Sequence, residues 1–342
     1  MLSNPNFRQV ESFPPPGFVG AFKAGTMTLG FLLPLEAYPD SPAPLMSSPG
    51  RAERLADELG FAALWARDVP TYDPTFGDVG QIFDPFTYLA FLAATTRRIA
   101  LGTGSSIVTL RHPLHVAKQA SSVDRLSSGR LLLGVASGDR PREYNAVGIA
   151  GDYATRAERF REALSYIRLV TEQRFPSGSF PRYGDLSGDL GTLPAPFAGR
   201  LPIFVTGHSR QDLDWIALHA DGWLYYFVHP EKIGGLTRSW HDAVSRQMGP
   251  GCFKPFIQGL FLDLDPNPDA GLVLIHQGIR CGRNVLRRYL HGLRNDGVSH
   301  TVFNLKQARR PAVEIIDEVA EFILPEFPTH HALRPVPAIG RE

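Results

Sequence analysis

The sequence predicts one α/β domain folded as a single (β/α)8 TIM barrel. Eight short runs rich in β-branched and aromatic residues occur between residues 28 and 303, and a helical pattern follows each run. A doubly wound sheet usually has fewer such units and a glycine-rich loop after its first strand. Here Leu33-Pro-Leu-Glu-Ala-Tyr38 contains no glycine, and Gly102-Thr-Gly104 lacks the third glycine of GxGxxG. One barrel is therefore the better interpretation.

The elements can be placed in chain order. Strands are predicted at residues 28–33, 61–65, 99–103, 131–136, 202–206, 223–227, 255–262 and 298–303. Ser48-Pro49 predicts the start of the first helix and Gly60 its end, while Asp84-Pro85 and Pro113 begin the next two. Ser209 and Asp212 have capping-box spacing at the fifth helix. Helical patterns also cover residues 231–247 and 270–295.

Apolar residues at helical spacing predict the buried faces of two further helices. The fourth helix carries Ala157, Phe160, Leu164 and Ile167, and the last begins near Pro311 and carries Val313, Ile316, Ala320 and Ile323. Outside the barrel, taken as residues 26–328, we expect an irregular N-terminal extension at 1–25 and a tail at 329–342. The Gly- and Pro-rich segment 174–200, before strand five, is an insertion that can fold back as a lid.

Composition excludes several classes of function. The 342 residues carry a net charge of +1, which gives no reason to expect a nucleic-acid partner. No apolar run reaches the roughly 18 to 20 residues of a membrane span, and the N-terminus does not resemble a secretory signal. We therefore expect a cytoplasmic protein. Cys252 and Cys281 have no CxxC spacing, which indicates partly buried free thiols and no metal site.

Active sites of such barrels lie at the C-terminal ends of the strands, where two loops combine features of a phosphate site. Ala136–Tyr144 contains Arg140 and Arg142, and Thr206–Ser209 leads directly into a predicted helix start. Simpler interpretations remain open, because Ser209 can be a plain N-cap and either arginine can pair with Glu143. Loop eight, with Lys306, Arg309 and Arg310, is a competing anion site, whereas loop seven carries the carboxylates Asp263, Asp265 and Asp269.

Several segments together resemble the bacterial-luciferase-like monooxygenases and their F420-dependent relatives. They are Leu101-Gly-Thr-Gly-Ser-Ser-Ile-Val-Thr-Leu-Arg-His-Pro113, the stretch from Ala117 to Gly138, the stretch from Tyr153 to Glu162, and Asp221-Gly222-Trp223. Each motif is only moderately specific, but their order along residues 26–325 matches the layout of the superfamily.

The resemblance implies a flavin, FMN, across the C-terminal mouth of the barrel. It places the phosphate at Gly207, His208 and Ser209, with Arg140 a weaker candidate. Ring or ribityl contacts are implied for Trp65, Asp68, Thr103, Gly104, Ser137 and Gly138 in the loops, with Tyr144 packing at the same edge. It also implies a non-prolyl cis peptide at Gly104-Ser105 that bulges against the ring. Trp65 can equally be a core aromatic, and His112 a capping residue.

The implied activity is a monooxygenation in which reduced FMN and O2 form a C4a-peroxide that attacks a small organic substrate. A separate flavin reductase would supply reduced FMN, since no NAD-binding motif is present, and the family commonly forms homodimers. The alternatives are F420-dependent hydride transfer, a flavin-binding protein without turnover, and a metal-dependent hydrolase. Aromatic residues that can line a substrate pocket are Tyr38, Tyr72, Phe76, Phe83 and Tyr226. No catalytic acid or base can be assigned.

Overall fold

Eight parallel strands close into a barrel, which confirms the predicted fold class. The computed structural model describes residues 13–75 and 80–330. Numbered in chain order, the barrel strands are β1 (Thr28–Leu32), β2 (Ala63–Ala66), β3 (Ala100–Thr103), β5 (Leu131–Ala136), β8 (Ile203–Thr206), β9 (Gly222–Tyr225), β10 (Phe256–Leu264) and β13 (His300–Asn304). The barrel closes because β1 pairs with both neighbours in parallel: Gly30 lies opposite Ala63 of β2 and Val302 of β13.

Helices lie between the strands, and short strands are added at the rim. The helices are α1 (Pro16–Ala21), α2 (Arg51–Leu59), α3 (Pro85–Thr95), α4 (Pro113–Leu126), α5 (Pro141–Ala146), α6 (Arg156–Glu172), α7 (Leu213–His219), α8 (Pro230–Met248), α9 (Arg283–Asn295) and α10 (Ala312–Phe322). The added strands are β4 (Ser106–Ile107), β6 (Ser177–Phe180), β7 (Gly184–Ser187), β11 (Val273–Ile275) and β12 (Gly278–Cys281). Within the described residues, no helix combines the length and apolar character that crossing a bilayer requires.

The prolines that predict helix starts give the correct first residue for two helices and the wrong one for a third. Asp84 caps α3 by accepting from the Thr87 N–H, and His112 caps α4 through Nδ1. Helix α2 begins at Arg51 instead of Pro49, because Gly50 takes a left-handed conformation (φ 86°) and becomes the N-cap. Gly60 ends α2 as predicted, with φ 94°.

The helical pattern predicted over 270–295 is wrong in its first half. Residues 273–281 form the antiparallel pair β11 and β12, and α9 begins only at Arg283. Strand β12 pairs in parallel with the second half of the nine-residue β10, with Phe261 opposite Gly278. The open edge of the long β10 strand offers backbone groups with which β12 can pair, so tertiary contact overrides the local periodicity.

The predicted buried face of the last helix is correct at Ile316 and Ile323, which are fully buried, and at Ala320, which packs against the core, but wrong at Val313. Ile315, Ile316 and Val319 are fully buried, whereas Val313 is 42% exposed. On α6, Phe160, Leu164 and Ile167 are buried as predicted.

Part of the N-terminal extension is ordered as α1, which closes the N-terminal end of the barrel; the expectation of an irregular segment is wrong there. The Phe22 ring lies 5.4 Å from the ring of Phe204 inside the barrel. Gly17 donates its N–H to the Gly129 carbonyl, and a Cβ at Gly17 would come within 2.7 Å of the Arg130 carbonyl oxygen. Only glycine fits this approach.

A hydrogen-bond chain runs through the barrel interior from α1 to the mouth. Trp65 Nε1 donates to His300 Nε2 (3.2 Å), which leaves Nδ1 of His300 protonated and donating to Thr28 Oγ1 (2.7 Å). Thr28 in turn donates to the Ala21 carbonyl (2.8 Å). Burial lowers the pKa of His300 to about 3, so the ring is neutral. Both ring nitrogens of His300 and the hydroxyl of Thr28 therefore have hydrogen-bond partners.

The segment 174–200 is an insertion that packs on the outside of the barrel. The β6–β7 hairpin contacts α6, where the rings of Phe180 and Tyr166 lie 4.7 Å apart and Arg182 pairs with Glu162. Further along, the Phe197 N–H donates to the buried carboxylate of Asp124 on α4. No residue of this segment lines the cavities at the mouth, so the structure does not place it as a lid. Cys252 is exposed and Cys281 is buried.

Candidate active site at the barrel mouth

The two loops singled out from the sequence meet at one cavity of about 650 Å³ at the C-terminal end of the strands. Of the predicted cofactor contacts, those that line it are Asp68, Gly104, Ser137, Gly138, Arg140, Gly207, His208 and Ser209. Three others do not. Trp65 lines an adjoining cavity, while Thr103 and Tyr144 lie behind the walls.

The loop after β8 presents backbone donors to this cavity. Gly207, Ser209 and Arg210 all have positive φ (54°, 44° and 64°). Within the described chain, the N–H groups of His208, Ser209 and Arg210 make no hydrogen bond, although the neighbouring N–H groups of Gly207 and Gln211 do. Successive amides in left-handed turns form concave anion sites.

The predicted helix start at Ser209 is wrong. Helix α7 begins at Leu213, and its cap is Asp212, which accepts from the Trp215 N–H at 2.7 Å. The Ser209 hydroxyl instead donates to the Thr206 carbonyl (3.0 Å) and accepts from the Ser137 N–H (3.3 Å). Ser209 therefore ties the β8 loop to the β5 loop, and the capacity to bind an anion comes from the loop backbone rather than from a helix dipole.

Four arginines and two carboxylates line the same cavity; the arginines are Arg67, Arg140, Arg156 and Arg210, and the carboxylates are Asp68 and Asp139. Arg156 donates to the Tyr153 carbonyl and lies 3.9 Å from the centre of the Tyr153 ring. Arg140 lines the cavity and also contacts Glu143 at 3.4 Å, so the two interpretations of Arg140 hold together. Burial raises the pKa of Glu143.

Arg142 and loop eight are engaged elsewhere. Arg142 is a surface residue whose guanidinium pairs with Asp73 at 3.1 Å. Arg309 pairs with Asp263 (2.8 Å) and Arg310 with Glu318 (2.7 Å). Asp263 of loop seven thus neutralises part of the positive charge of loop eight. This favours the loops after β5 and β8, Ala136–Tyr144 and Thr206–Ser209, as the candidate anion site.

The peptide bond between Gly104 and Ser105 is cis, which confirms that expectation. Behind it, the Asp68 carboxylate accepts from the Ile107 N–H (3.1 Å) and from Arg111 through two bonds (3.0 and 2.8 Å). The same Arg111 reaches Asp84 at 2.8 Å. Asp68 lines the cavity, but its oxygens are used to hold β4 in place.

Tyr144 and Thr103 support the walls from behind. The Tyr144 hydroxyl lies 2.6 Å from the Ser137 carbonyl and 2.7 Å from Thr109 Oγ1, and burial raises its pKa. Thr103 donates to the Gly134 carbonyl (2.6 Å), which joins β3 to β5. Both residues set the positions of lining groups without facing the cavity.

A second cavity of about 280 Å³ adjoins the first. The residues common to both linings are Arg67, Gly104, Thr206, Tyr226 and Gln277. The Thr206 hydroxyl is buried at this boundary without a hydrogen-bond partner. Trp65 is fully buried and held by His300, as the core interpretation expects, and it also lines the second cavity.

The lining residues of the main cavity that sequence reasoning missed include Arg67, Tyr153, Arg156, Arg210 and Gln277. Arg67 directly follows β2, so the rule for strand ends would have found it. Gln277 lies in the β11–β12 turn, and no sequence signal could place it while that segment was predicted to be helical.

Among the described aromatic residues proposed for a substrate pocket, Tyr226 alone lines either cavity at the mouth. Tyr38 is buried beneath Lys306, and Tyr72 and Phe83 are exposed. Phe76 lies outside the described residues. His208 lines the main cavity beside the ring of Trp223, 5.5 Å away. Within residues 13–75 and 80–330, no group of three or more His, Cys, Asp or Glu side chains could hold a metal ion.

Comparison with known proteins identifies relatives of two chemistries. The F420-dependent hydroxymycolic acid dehydrogenase of Mycobacterium tuberculosis is 31% identical over 173 residues, 49% of this chain and 46% of that protein. The 4-hydroxyprotoasukamycin monooxygenase of Streptomyces nodosus subsp. asukaensis is 33% identical over 142 residues, 41% of this chain and 36% of that protein. The chain thus matches less than half the length of each.

Structural likeness extends further than sequence likeness. An F420-dependent secondary alcohol dehydrogenase in complex with an F420-acetone adduct superposes with a TM-score of 0.71 at 15% identity, covering 88% of this chain and 99% of that one. At this identity the likeness establishes the barrel fold alone. The family model described as luciferase-like monooxygenase matches residues 27–263, well over half of the 342 residues, and the chain therefore belongs to the luciferase-like monooxygenase family.

Proposed function

We propose that the protein is an FMN-dependent oxidoreductase, a monooxygenase that uses reduced FMN and O2 on a small organic substrate. One observation carries the proposal: a single cavity joins three backbone N–H groups at 208–210, which make no hydrogen bond within the described residues, to the backbone of Gly104 at the barrel mouth. A ligand with a phosphate at one end and a flat apolar ring at the other fits this distribution.

The donor set at the β8 loop suits a phosphate. The N–H groups of His208, Ser209 and Arg210 would donate to its oxygens, and Arg140 and Arg156 supply positive charge in the same cavity. A Cβ at Gly207 would lie 3.0 Å from the Tyr226 ring, and its φ of 54° also favours glycine. The loop is therefore shaped by backbone rather than by side chains.

The other end of the cavity suits the ring. Gly104 exposes backbone at the boundary between the cavities, and a Cβ there would lie 3.3 Å from Cβ of Trp65. Thr206 Oγ1 offers an unpaired hydrogen-bonding atom at the same boundary. These groups would orient the ring, and the surrounding aromatic and aliphatic walls would exclude water from it.

Reduced FMN would supply the electrons that activate O2. A separate reductase would deliver the reduced flavin, and we extend the proposal to a cytoplasmic homodimer, which light scattering on the purified protein tests. No side chain at the mouth is assigned as acid or base, because nothing in the geometry distinguishes one.

The deazaflavin F420 is the second candidate cofactor, and two arginines of the lining favour it. Arg156 and Arg210 line the cavity together with the loop amides, and the Asp68 carboxylate is already paired with Arg111, so the lining can accept anionic groups besides one phosphate. F420 carries further carboxylates beyond its phosphate, and a relative that shares 31% identity uses it. In that case the reaction would be hydride transfer.

Titration of the purified protein with FMN and, separately, with F420 tests the assignment through quenching of cofactor fluorescence. We expect tighter binding of FMN, whereas tighter binding of F420 would replace the monooxygenase proposal by hydride transfer. The double substitution Gly207→Ala with Ser209→Ala should weaken FMN binding at least tenfold, because it distorts the donor loop. The control Ser239→Ala, on α8, should bind as the native protein does. Unchanged affinity in the double variant would refute the phosphate site.

A further inference from the structure

The second cavity lies across the Gly104 boundary from the anion-binding loop and differs from the main cavity in character. Its walls are mostly apolar and come from the strand ends; they include Leu32, Leu224, Phe227, Leu260, Phe261 and Val302. At about 280 Å³ it has nearly twice the volume of an apolar cavity of about 150 Å³ that accommodates benzene. A compact bicyclic molecule is the size that fits.

The polar residues of this cavity are Arg67, Thr206, Tyr225, Tyr226, His276, Gln277 and Asn304, and Asn304, at the end of β13, offers an unpaired donor. Its Oδ1 accepts from the Lys306 N–H (3.0 Å), which fixes the orientation of the amide. Its NH2 group has no hydrogen-bond partner within the described chain, and Asn304 lines the cavity, so this amide can donate to a ligand.

Thr206 supplies another donor. The charged side chain Arg67 lies with Thr206 at the boundary between the two cavities. The Thr206 hydroxyl is buried and unpaired, and it lies where the two cavities meet. Arg67 is the one permanently charged side chain in the lining, and its guanidinium lies against Gly80. A charged ligand would therefore lose its hydration among apolar walls without a dedicated partner.

From this arrangement we infer that the second cavity is the substrate site and that it binds an uncharged, largely apolar molecule of bicyclic size with one hydrogen-bond acceptor, such as a ketone carbonyl. The inference rests on the proposed function, in which the cofactor ring lies at the Gly104 boundary. The substrate body would fill the apolar cavity, and its carbonyl oxygen would accept from Asn304 Nδ2.

Three ligands that share one skeleton test the class directly: 1-tetralone, tetralin and tetralin-1-carboxylate. Binding is measured through tryptophan fluorescence and by calorimetry, on the free protein and on protein loaded with FMN. We expect 1-tetralone to bind about 3- to 10-fold more tightly than tetralin, the gain that one neutral hydrogen bond supplies. The carboxylate should bind most weakly, and FMN should not compete with 1-tetralone.

Two substitutions test whether Asn304 is the donor that produces the preference for 1-tetralone over tetralin. Asn304→Asp keeps an oxygen for the Lys306 N–H but removes the NH2 group, so it should abolish the preference for 1-tetralone. Thr206→Val removes a hydroxyl that has no partner within the described residues, so the fold is preserved, and the preference should persist because the carbonyl accepts from Asn304; loss of the preference in this variant would contradict that placement. The matched control Asn295→Asp, at an exposed position on α9, should keep the native preference.

The outcomes separate this inference from the proposed function. Equal binding of 1-tetralone and tetralin, tightest binding of the carboxylate, or an unchanged preference in Asn304→Asp would overturn the inferred ligand class. Competition between FMN and 1-tetralone would show that the cofactor ring occupies the cavity and would overturn the substrate site. Failure of FMN and F420 to bind would refute the proposed function alone, because the ligand preference is measured independently on the free protein.

Discussion

Replacing His300 by glutamine should change how the stability of the protein depends on pH. His300 is fully buried in the barrel interior, between Trp65 and Thr28. Burial lowers its pKa to about 3, whereas the ring has a pKa of about 6.5 once the chain unfolds. Between these values the unfolded chain binds a proton that the folded protein does not, so His300 makes the native protein lose stability as the pH falls.

The size of the effect follows from proton linkage. One proton bound only by the unfolded state changes the free energy of unfolding by about 1.4 kcal/mol per pH unit. Between pH 6 and pH 4, His300 should therefore cost the native protein about 2.5 kcal/mol. Asp124 acts in the opposite direction, because burial raises its pKa to about 6 and its stabilising contribution is lost as the pH rises. Because Asp124 is present in both the native protein and the variant, its contribution cancels when their free energies of unfolding are compared.

Urea unfolding followed by tryptophan fluorescence at pH 4, 5 and 6 measures the effect for the native protein and for His300→Gln. The variant should be less stable at pH 6, since it disturbs the bonds to Trp65 and Thr28. Its disadvantage should shrink by about 2.5 kcal/mol at pH 4. The control His115→Gln removes an exposed histidine of α4 and leaves the barrel interior intact. A stability difference that stays constant from pH 6 to pH 4 would refute the neutral, buried ring.

Three further substitutions test the packing, each measured by urea unfolding. Asp57→Ala removes the acceptor of three backbone N–H groups at 97–99 (2.7 to 2.9 Å) and should cost about 2–3 kcal/mol; a loss below about 0.5 kcal/mol would contradict this. Gly134→Ala would bring a Cβ to 1.9 Å from the Thr103 carbonyl oxygen and should destabilise by about 1–3 kcal/mol, whereas native stability would show that β3 and β5 can separate. Arg246→Ala breaks an exposed pair with Asp214 and should cost less than about 0.5 kcal/mol, so a larger loss would reveal a contribution beyond that pair.

The barrel was predictable because its signals are local. Each buried strand is a short apolar run. Asp84 marks the start of α3 and Gly60 marks the end of α2. The β11–β12 pair was not predictable, because its strands exist only through pairing with the second half of β10. Helix α1 was missed for a related reason: six residues near Pro16 carry no periodic signal, and their place is set by contact with Phe204.

Most of the predicted site residues line one cavity, but the physical reason given for an anion at Ser209 was wrong. The sequence favours an anion at Ser209 through a helix dipole, whereas the structure offers loop amides four residues before α7 begins. Positive φ at non-glycine residues such as Ser209 and Arg210 is set by tertiary contacts, here the bond between Ser137 N and Ser209 Oγ. A single sequence does not encode such angles in any local pattern.

Asp68 shows why a position at the mouth does not define a role. The family resemblance implies that Asp68 contacts the ring or the ribityl chain of a cofactor, and Asp68 does line the cavity. Its oxygens are nevertheless committed to Arg111 and to the Ile107 N–H, directly after the Gly104-Ser105 bulge. Because both groups are fixed by one buried carboxylate, the backbone at the cofactor boundary is held before any ligand arrives. Asp68 thus shapes the main cavity although its oxygens are already bonded, and the groups without a partner within the described residues, which include the amides at 208–210 and the Thr206 hydroxyl, are left for a ligand.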